Sequence, residues 1–343
     1  MHVPVSDADA AIAAASVEVA ELRQALARSQ RAARRRQVAT DELVAAVHAA
    51  ARDAMLAHGP APRIVAPKRD RRTARAEVAL LHLTDWQVGK RTVSFDMDTC
   101  RRRVTQAVTT TLELTDIQRA DHPVHECHVM LGGDMVEGVT IFPGQAFEVE
   151  AGAFAQVIHT AKTIEAVVVA LLEQFERVHV WEEIGNHGRI GHKGEAPHGD
   201  NLDRLAYTLA RSAIPATDRL VWHPFAGGLG THVTIGGYTA LLVHGDEFRS
   251  FGGNTPAFGI LRKCNAWATG VVAPFNDVYI GHFHTPMALT LANAGRAFVT
   301  GSPESDNEYA REFVAAVGKP SQRLHFVDPD KARVTAEYLL WLN

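Results

Sequence analysis

The sequence contains little cysteine and no long apolar run. Three of its 343 residues are cysteines, Cys100, Cys127 and Cys264, and none of them forms a CxxC pair. This argues against a disulfide framework and favours a reducing compartment such as the cytoplasm. No apolar stretch approaches the roughly 18 residues of a membrane span without a charged or polar residue, and the alanine-rich, acidic N-terminus does not resemble a signal peptide. We therefore expect a cytoplasmic protein with no membrane segment.

Charge is distributed unevenly along the chain. The net charge is −4, yet residues 1–76 hold 13 Lys and Arg against 8 Asp and Glu, which leaves 22 against 31 for residues 77–343. We therefore divide the chain into a basic N-terminal region, 1–76, and an acidic domain, 77–343, that is long enough to bury a core of its own.

The N-terminal region is predicted to be helical. Apolar residues recur at three-, four- and seven-residue steps in an alanine-rich segment from Ile12 to Leu26, which indicates a helix with a narrow apolar stripe. Thr40 predicts the N-cap of a second helix, and a basic linker, 68–75, leads to the acidic domain. These helices are expected to form homo-oligomer contacts or to pack on the acidic domain.

The arginines of this region allow a second interpretation. Arg34, Arg35 and Arg36 and the basic linker 68–75 can grip a phosphate backbone, whereas a charge run more often marks a solvated face. The two interpretations do not exclude each other.

Five short segments of the acidic domain carry metal-binding or acid/base residues. Each follows an apolar, strand-like run, and the carboxyl ends of strands are where open α/β sheets bind ligands. The segments are Asp85-Trp86-Gln87, Gly133-Asp134, Gly185-Asn186-His187, His244-Gly245-Asp246 and Gly281-His282-Phe283-His284. Their glycines suit tight turns and close backbone approach.

These residue types suit the hydrolysis of a phosphoester. Two divalent ions about 3.5–4 Å apart can clamp the attacking and the departing oxygen. Such ions need a bridging carboxylate, neutral imidazoles and hard oxygen donors. Asp134 is the predicted bridge.

In residue type and chain order the five segments resemble the calcineurin-like metallophosphoesterases, whose pattern is Asp-x-His, Gly-Asp, Gly-Asn-His, His and Gly-His-x-His. The resemblance covers about residues 78–302. It implies that one ion is held by Asp85, Gln87 and His284, the other by Asn186, His244 and His282, and that Asp134 is shared. His187 resembles the family's histidine that contacts the scissile phosphate and can protonate the leaving oxygen.

Two residues depart from the family pattern. Gln87 stands where the family has a metal-binding histidine, and an amide oxygen is a weaker ligand than imidazole for a transition metal. It is either a tolerated ligand variant or the mark of a decayed site. Gly188 stands where the family commonly has an acidic residue that orients the histidine. The next residue, Arg189, is expected to contact a substrate phosphate together with Lys193.

The resemblance implies a four-layer αββα sandwich with an N-terminal helical appendage. Helical patterns are expected near 98–119, 154–176, 200–212 and 255–269. The short strands predicted after Gly281 resemble the family's second sheet. Because the run of predicted strands ends at Asn343, we expect the capping domain that follows the phosphoesterase domain in SbcD-type enzymes to be missing or reduced.

Within the family, Thr84-Asp85-Trp86-Gln87-Val88-Gly89 and Gly281-His282-Phe283-His284-Thr285-Pro286 look most like SbcD-type DNA exonucleases and their phage-encoded relatives. The resemblance implies a nuclease with two divalent ions, most naturally Mn²⁺, with Mg²⁺, Zn²⁺ or Fe²⁺ possible. DNA and an ATPase are the implied partners. A phosphodiesterase or phosphatase for small molecules and a non-catalytic scaffold stay open as alternatives.

Overall fold

The structure is a computed structural model. It describes residues 64–142, 144–147, 149–191, 193–248, 256–304 and 319–343, together with seven positions before residue 64. The chain divides into two compact units, Met1–Asp53 and Ala54–Asn343, and every element named below belongs to the second. The predicted N-terminal helices, and with them the predicted oligomer contacts, lie outside the described residues apart from those positions.

The second unit alternates strands and helices, as the sequence predicts. Its strands are β1 (Glu77–Leu83), β2 (Val124–Gly132), β3 (Arg177–Glu183), β4 (Leu220–His223), β5 (Thr231–Ile235), β6 (Tyr238–Val243), β7 (Asp277–Ile280), β8 (Met287–Thr290), β9 (Arg296–Val299), β10 (Ser321–Asp328) and β11 (Arg333–Trp341). Its helices are α1 (Met97–Arg119), α2 (Ala153–Leu172), α3 (Leu202–Ala213) and α4 (Ala257–Ala266), with a π-helical turn at Trp267–Val271.

The strands form two sheets. The first has six strands in the order β11-β10-β1-β2-β3-β4, and the second has five in the order β5-β6-β7-β9-β8. The central pairs β1/β2, β2/β3, β3/β4, β6/β7 and β7/β9 are parallel, whereas β5, β8, β10 and β11 pair antiparallel with their neighbours. Helices α1 and α2 pack on the first sheet, α3 packs on α2, and α4 packs on the second sheet. The expected αββα sandwich is therefore present.

The assignment of strands to sheets differs from the prediction at the C-terminal end. The last two strands, β10 and β11, were expected in the second sheet with β8 and β9, but β10 pairs antiparallel with β1 in the first. All eight residues of β10 are buried, so this strand needs a neighbour along each edge and a layer over each face. The second sheet is completed by β5 and β6. The sequence does not predict β4 of the first sheet or β5 of the second, because strands of four and five residues are too short to show a periodic pattern.

The core lies between the two sheets. Val78, Leu80, Met130 and Trp181 of the first sheet belong to one buried cluster with residues of the second sheet, which include Tyr238, Tyr279 and Phe298. Polar groups inside this layer are paired with each other. His325 Nδ1 lies 2.6 Å from the hydroxyl of Tyr279, and the hydroxyl of Tyr238 donates to Asp277 Oδ2 at 2.9 Å. This pairing removes the cost of burying them without partners.

Helix α2 is long and apolar enough to cross a membrane when judged by length and composition alone. Its mean hydropathy is 1.4, but 61% of the apolar window is buried inside the protein. Such burial is typical of a core helix in a globular domain, and here the helix covers β3.

Truncation of Phe298 tests the layer between the sheets. The side chain is fully buried and lies beside Tyr279 and His325, with ring centroids 5.3 and 4.5 Å away. We expect Phe298→Ala to lower the free energy of unfolding by about 3–5 kcal/mol, because it leaves a cavity that its neighbours cannot fill. Urea denaturation measures this loss. The control is Phe147→Ala, whose side chain is 93% exposed; equal effects of the two substitutions would contradict the assigned core.

Candidate metal centre

The two sheets bring the five segments together. The strands β1, β2 and β3 end just before Asp85, Asp134 and Asn186, and β6 and β7 of the second sheet end just before His244 and His282. Hydrogen bonds link the strand ends across the sheets. The amide of His282 donates to both carboxylate oxygens of Asp85 at 2.9 Å, and His244 Nδ1 lies 2.9 Å from the carbonyl of Gly132.

The backbone is strained where it carries the candidate ligands. Among the described residues, eight other than glycine have positive φ, and five of these belong to the metal-binding segments: Asp85, Gln87, Asp134, His282 and His284, with φ between 45° and 66°. A left-handed conformation costs a non-glycine residue about 1 kcal/mol or more. Strain concentrated in one place marks a site whose geometry is held by its surroundings.

Three oxygen and nitrogen atoms with lone pairs converge at the centre. His244 Nε2 lies 3.0 Å from Asp134 Oδ2 and 3.2 Å from Asn186 Oδ1. Because His244 Nδ1 faces a carbonyl, a neutral His244 carries its proton on that nitrogen and turns a lone pair towards Asp134 and Asn186. Three acceptors this close repel one another unless a cation lies among them.

Without a metal ion, that cation is a proton. Burial by itself lowers the pKa of His244, but the carboxylate of Asp134 outweighs burial and holds the pKa well above its usual value. The nearby His282 behaves in the opposite way, because burial and the neighbouring His244 lower its pKa to about 4. It is therefore a neutral imidazole, the form that binds metals.

Asp134, Asn186, His244 and His282 form one half of the centre, and this half fits a divalent ion. The ligand atoms of Asp134, His244 and His282 all lie within 4.8 Å of one another, and Asn186 adds a neutral oxygen. Two imidazoles, one carboxylate and one amide oxygen suit a borderline or hard divalent cation.

The other half of the centre is built differently. Asp85 Oδ1 lies 3.4 Å from His284 Nε2, and His284 Nδ1 lies 2.9 Å from Glu304 Oε2. The Oε1 of Gln87 accepts from the Lys90 ammonium at 3.2 Å, so an ion bound to this oxygen would lie beside a fixed positive charge. With an ammonium group on its amide oxygen, this half does not fit a second divalent ion.

His187 lies beside Asp134, and a carboxyl group holds its ring. Its Nε2 is 4.0 Å from Asp134 Oδ2, while its Nδ1 is 3.0 Å from the carbonyl oxygen and 3.3 Å from Oε2 of Glu137. Gln145 in turn donates to Glu137 Oε1 at 2.8 Å. The acidic group that the sequence lacks after His187 is thus supplied by Glu137, three residues after Asp134. An acidic residue three positions after Asp134 was the sequence signal that could have identified Glu137.

A second carboxylate, that of Asp203 in the first turn of α3, joins the loops after β2 and β3. It is fully buried and accepts the backbone N–H groups of Asp134, Met135, Val136 and Gly185 at 2.9–3.1 Å. Asn201, the N-cap of α3, also donates to the carbonyl of Gly185 at 2.8 Å. A Cβ on Gly185 would collide with Asp134, which confirms the close backbone approach expected there.

The two predicted phosphate contacts lie on the loop after His187. Arg189 is half-buried and pairs through its backbone with Asn201. The side chain of Lys193 is 75% exposed and its Nζ lies 3.6 Å from Asp246 Oδ2. Both stay predictions as substrate contacts.

Another group of ligand-type side chains lies towards the opposite end of β2 and β3, where Glu126, His128 and His179 bring their ligand atoms within 4.8 Å. The tautomer of His128 opposes metal binding by this group. Trp181 Nε1 donates to His128 Nδ1 at 3.2 Å, so a neutral His128 carries its proton on Nε2, the nitrogen that faces Glu126 at 3.9 Å. The Asp134 group is the better candidate.

No protein-family model matches the chain, and no curated protein matches its sequence. Solved structures are similar to it at low identity. A Vps29 from Entamoeba histolytica complexed with zinc is 11% identical, covers 76% of this chain and 99% of its own, and has a TM-score of 0.31. A predicted phosphoesterase from Streptococcus pneumoniae is 14% identical, with 78% and 99% covered and a TM-score of 0.31. A dimetal phosphatase from Danio rerio is 9% identical, with 78% and 99% covered and a TM-score of 0.38.

Removal of the Glu137 charge tests how His187 is held. Burial lowers the pKa of His187, but Asp134 and Glu137 outweigh it and raise that pKa to about 9. The imidazolium is therefore present below pH 9 and lost above it. We expect Glu137→Gln to lower the pKa by about one unit or more, so that the ring loses its proton nearer neutral pH. NMR titration of the imidazole nitrogens in metal-free protein measures the shift. The matched control is Glu113→Gln on the exposed face of α1, and an unchanged pKa in Glu137→Gln would contradict the contact.

Replacement of Asp203 tests the joint between the loops. An asparagine side chain at this position would keep one acceptor oxygen and turn an NH₂ group towards backbone donors. We expect Asp203→Asn to lower the free energy of unfolding by about 2–4 kcal/mol and to weaken Mn²⁺ binding about 10–100-fold. Urea denaturation and calorimetric titration measure the two effects. Asp218→Asn, at an exposed position, is the control, and unchanged Mn²⁺ affinity in Asp203→Asn would show that the joint does not shape the centre.

Proposed function

We propose that this chain is a metal-dependent phosphoesterase that hydrolyses phosphodiester bonds. The convergence of Asp134, Asn186, His244 and His282 at the ends of strands from both sheets is the observation that carries the proposal, because this set of ligand atoms suits a divalent cation. The proposed ion is Mn²⁺, with Mg²⁺, Zn²⁺ or Fe²⁺ as alternatives. When bound, such an ion supplies positive charge for the phosphoryl oxygens and lowers the pKa of a water.

The protein's own groups suggest how the leaving oxygen receives its proton. Glu137 and its carbonyl hold the Nδ1 side of His187, which leaves Nε2 directed to the same side as Asp134. In the metal-free protein Asp134 and Glu137 raise the pKa of His187 to about 9, and the protonated ring can donate to the departing oxygen. Asp134 also accepts the backbone N–H of His187 at 2.7 Å, which fixes the distance between the two groups.

For the substrate we propose nucleic acid, cleaved by an exonuclease or endonuclease of the SbcD-like type. The support is the resemblance of the segments around Asp85 and His282 and the positive charge of residues 1–76. DNA is then the partner, homo-oligomer contacts through the N-terminal helices would help to position it, and an ATPase is a possible further partner. Arg189 and Lys193 are the proposed phosphate contacts.

A small phosphodiester, such as a cyclic nucleotide or a nucleotide-linked molecule, is the second candidate. It is favoured by the contacts of the basic linker, where two arginines face carboxylates. Arg72 pairs with Asp70 at 2.7 Å and Arg75 with Asp121 at 3.2 Å. An arginine already paired offers less to a DNA backbone.

Hydrolysis assays in Mn²⁺ separate these candidates. The substrates are end-labelled single- and double-stranded DNA and bis-p-nitrophenyl phosphate, and Asp134→Ala is expected to abolish turnover while the protein stays folded. DNA cleavage that is lost in Asp134→Ala would support the nuclease. Cleavage of the small diester alone would favour the second candidate. No turnover of any substrate would remove the proposed activity and leave a non-catalytic scaffold.

A further inference from the structure

The side chain of Lys90 occupies the half of the centre that is expected to hold a second ion. Its Nζ lies 2.6 Å from Glu304 Oε1 and 3.2 Å from Gln87 Oε1. The lysine side chain is 23% exposed and that of Glu304 is 1% exposed. An ammonium group is therefore held between a buried carboxylate and the residue at the family's ligand position.

The backbone holds Lys90 in this place. Its amide donates to the carbonyl of Gln87 at 3.0 Å, and it forms an isolated bridge with Val149. Gly89, directly before it, has a φ of +107°. A tight turn thus returns the chain so that the lysine three residues after Gln87 faces the amide of Gln87.

The chemistry of the three side chains fixes the orientation of Gln87. An ammonium group can only donate, so it must face the amide oxygen, and the amide nitrogen must then face His284. The structure has this arrangement, with Gln87 Nε2 3.3 Å from His284 Nε2. The amide nitrogen of Gln87, and not its oxygen, therefore faces the nitrogen that His284 would use to bind a metal. A divalent ion here would displace both contacts and lie close to the ammonium charge.

We propose that the Lys90 ammonium takes the place of one metal ion, so that the chain binds a single divalent ion at Asp134, Asn186, His244 and His282. The fixed positive charge of Lys90 then lies beside the carboxylate of Glu304, and Gln87 acts as the acceptor that positions Lys90. The proposal rests on the proposed function for the identity of the centre, but its test requires no activity.

The test is the metal stoichiometry of the full chain. Purified wild-type protein is titrated with Mn²⁺, and bound ions are counted by elemental analysis and native mass spectrometry. Electron paramagnetic resonance of the bound Mn²⁺ distinguishes an isolated ion from an exchange-coupled pair. We expect one isolated ion per chain in wild type and none in His244→Ala. The double variant Lys90→Met/Gln87→His removes the ammonium group and restores the family's imidazole, and we expect it to bind two ions that form a coupled pair.

Two further variants serve as controls. His284→Ala is expected to keep one bound ion, and Lys331→Met, which removes a lysine paired with Asp328 outside the centre, is expected to keep one as well. Two ions in wild type, loss of an ion in His284→Ala, or a single ion in a folded Lys90→Met/Gln87→His variant would each overturn the proposal. One bound ion without hydrolysis of any phosphodiester would remove the proposed function but leave this inference standing.

Discussion

The centre depends on one electrostatic constraint. His244 Nε2 lies 3.0 Å from Asp134 Oδ2 and 3.2 Å from Asn186 Oδ1, and a cation among these atoms relieves the repulsion between their lone pairs. A proton fulfils this role in the metal-free protein, where the pKa of His244 is raised. Any divalent ion that binds must displace that proton, so metal binding and protonation compete at this place.

The remaining parts of the structure keep these groups from moving apart. The ligands come from both sheets, and the loops that carry them are joined by hydrogen bonds to buried carboxylates. Asp203 joins the loops after β2 and β3 by accepting four backbone N–H groups. Asp85 accepts the backbone N–H of His282. The cost of strained backbone at the ligands is offset by these contacts and by the core between the sheets. The fold of the sandwich therefore sets the positions of the candidate ligands.

The two halves of the centre balance their charge differently. Around Asp134 the compensating groups are imidazoles, which accept a metal ion when they lose a proton. Around Asp85 and Glu304 the compensating groups are His284 and the ammonium group of Lys90. Unlike a metal ion, this ammonium group is covalently attached to the chain and cannot dissociate. Burial by itself lowers the pKa of His284, but the hydrogen bonds to Asp85 and Glu304 outweigh burial and raise that pKa to about 10. A symmetrical pair of ions is thus not the arrangement that these side chains favour.

The sequence by itself determined which residue types end the five strands, because alternating and continuous apolar runs define strands and a ligand at a strand end is visible in the chain. It also predicted helices α1 to α4 to within a few residues and the glycine that lets Asp134 and Gly185 approach. Only the tertiary structure decided that β10 joins the first sheet, that Glu137, Asp203 and Glu304 support the ligands, and that Lys90 faces Gln87. These contacts join residues through turns or across distant segments, and such distances in space leave no periodic signal in a single sequence.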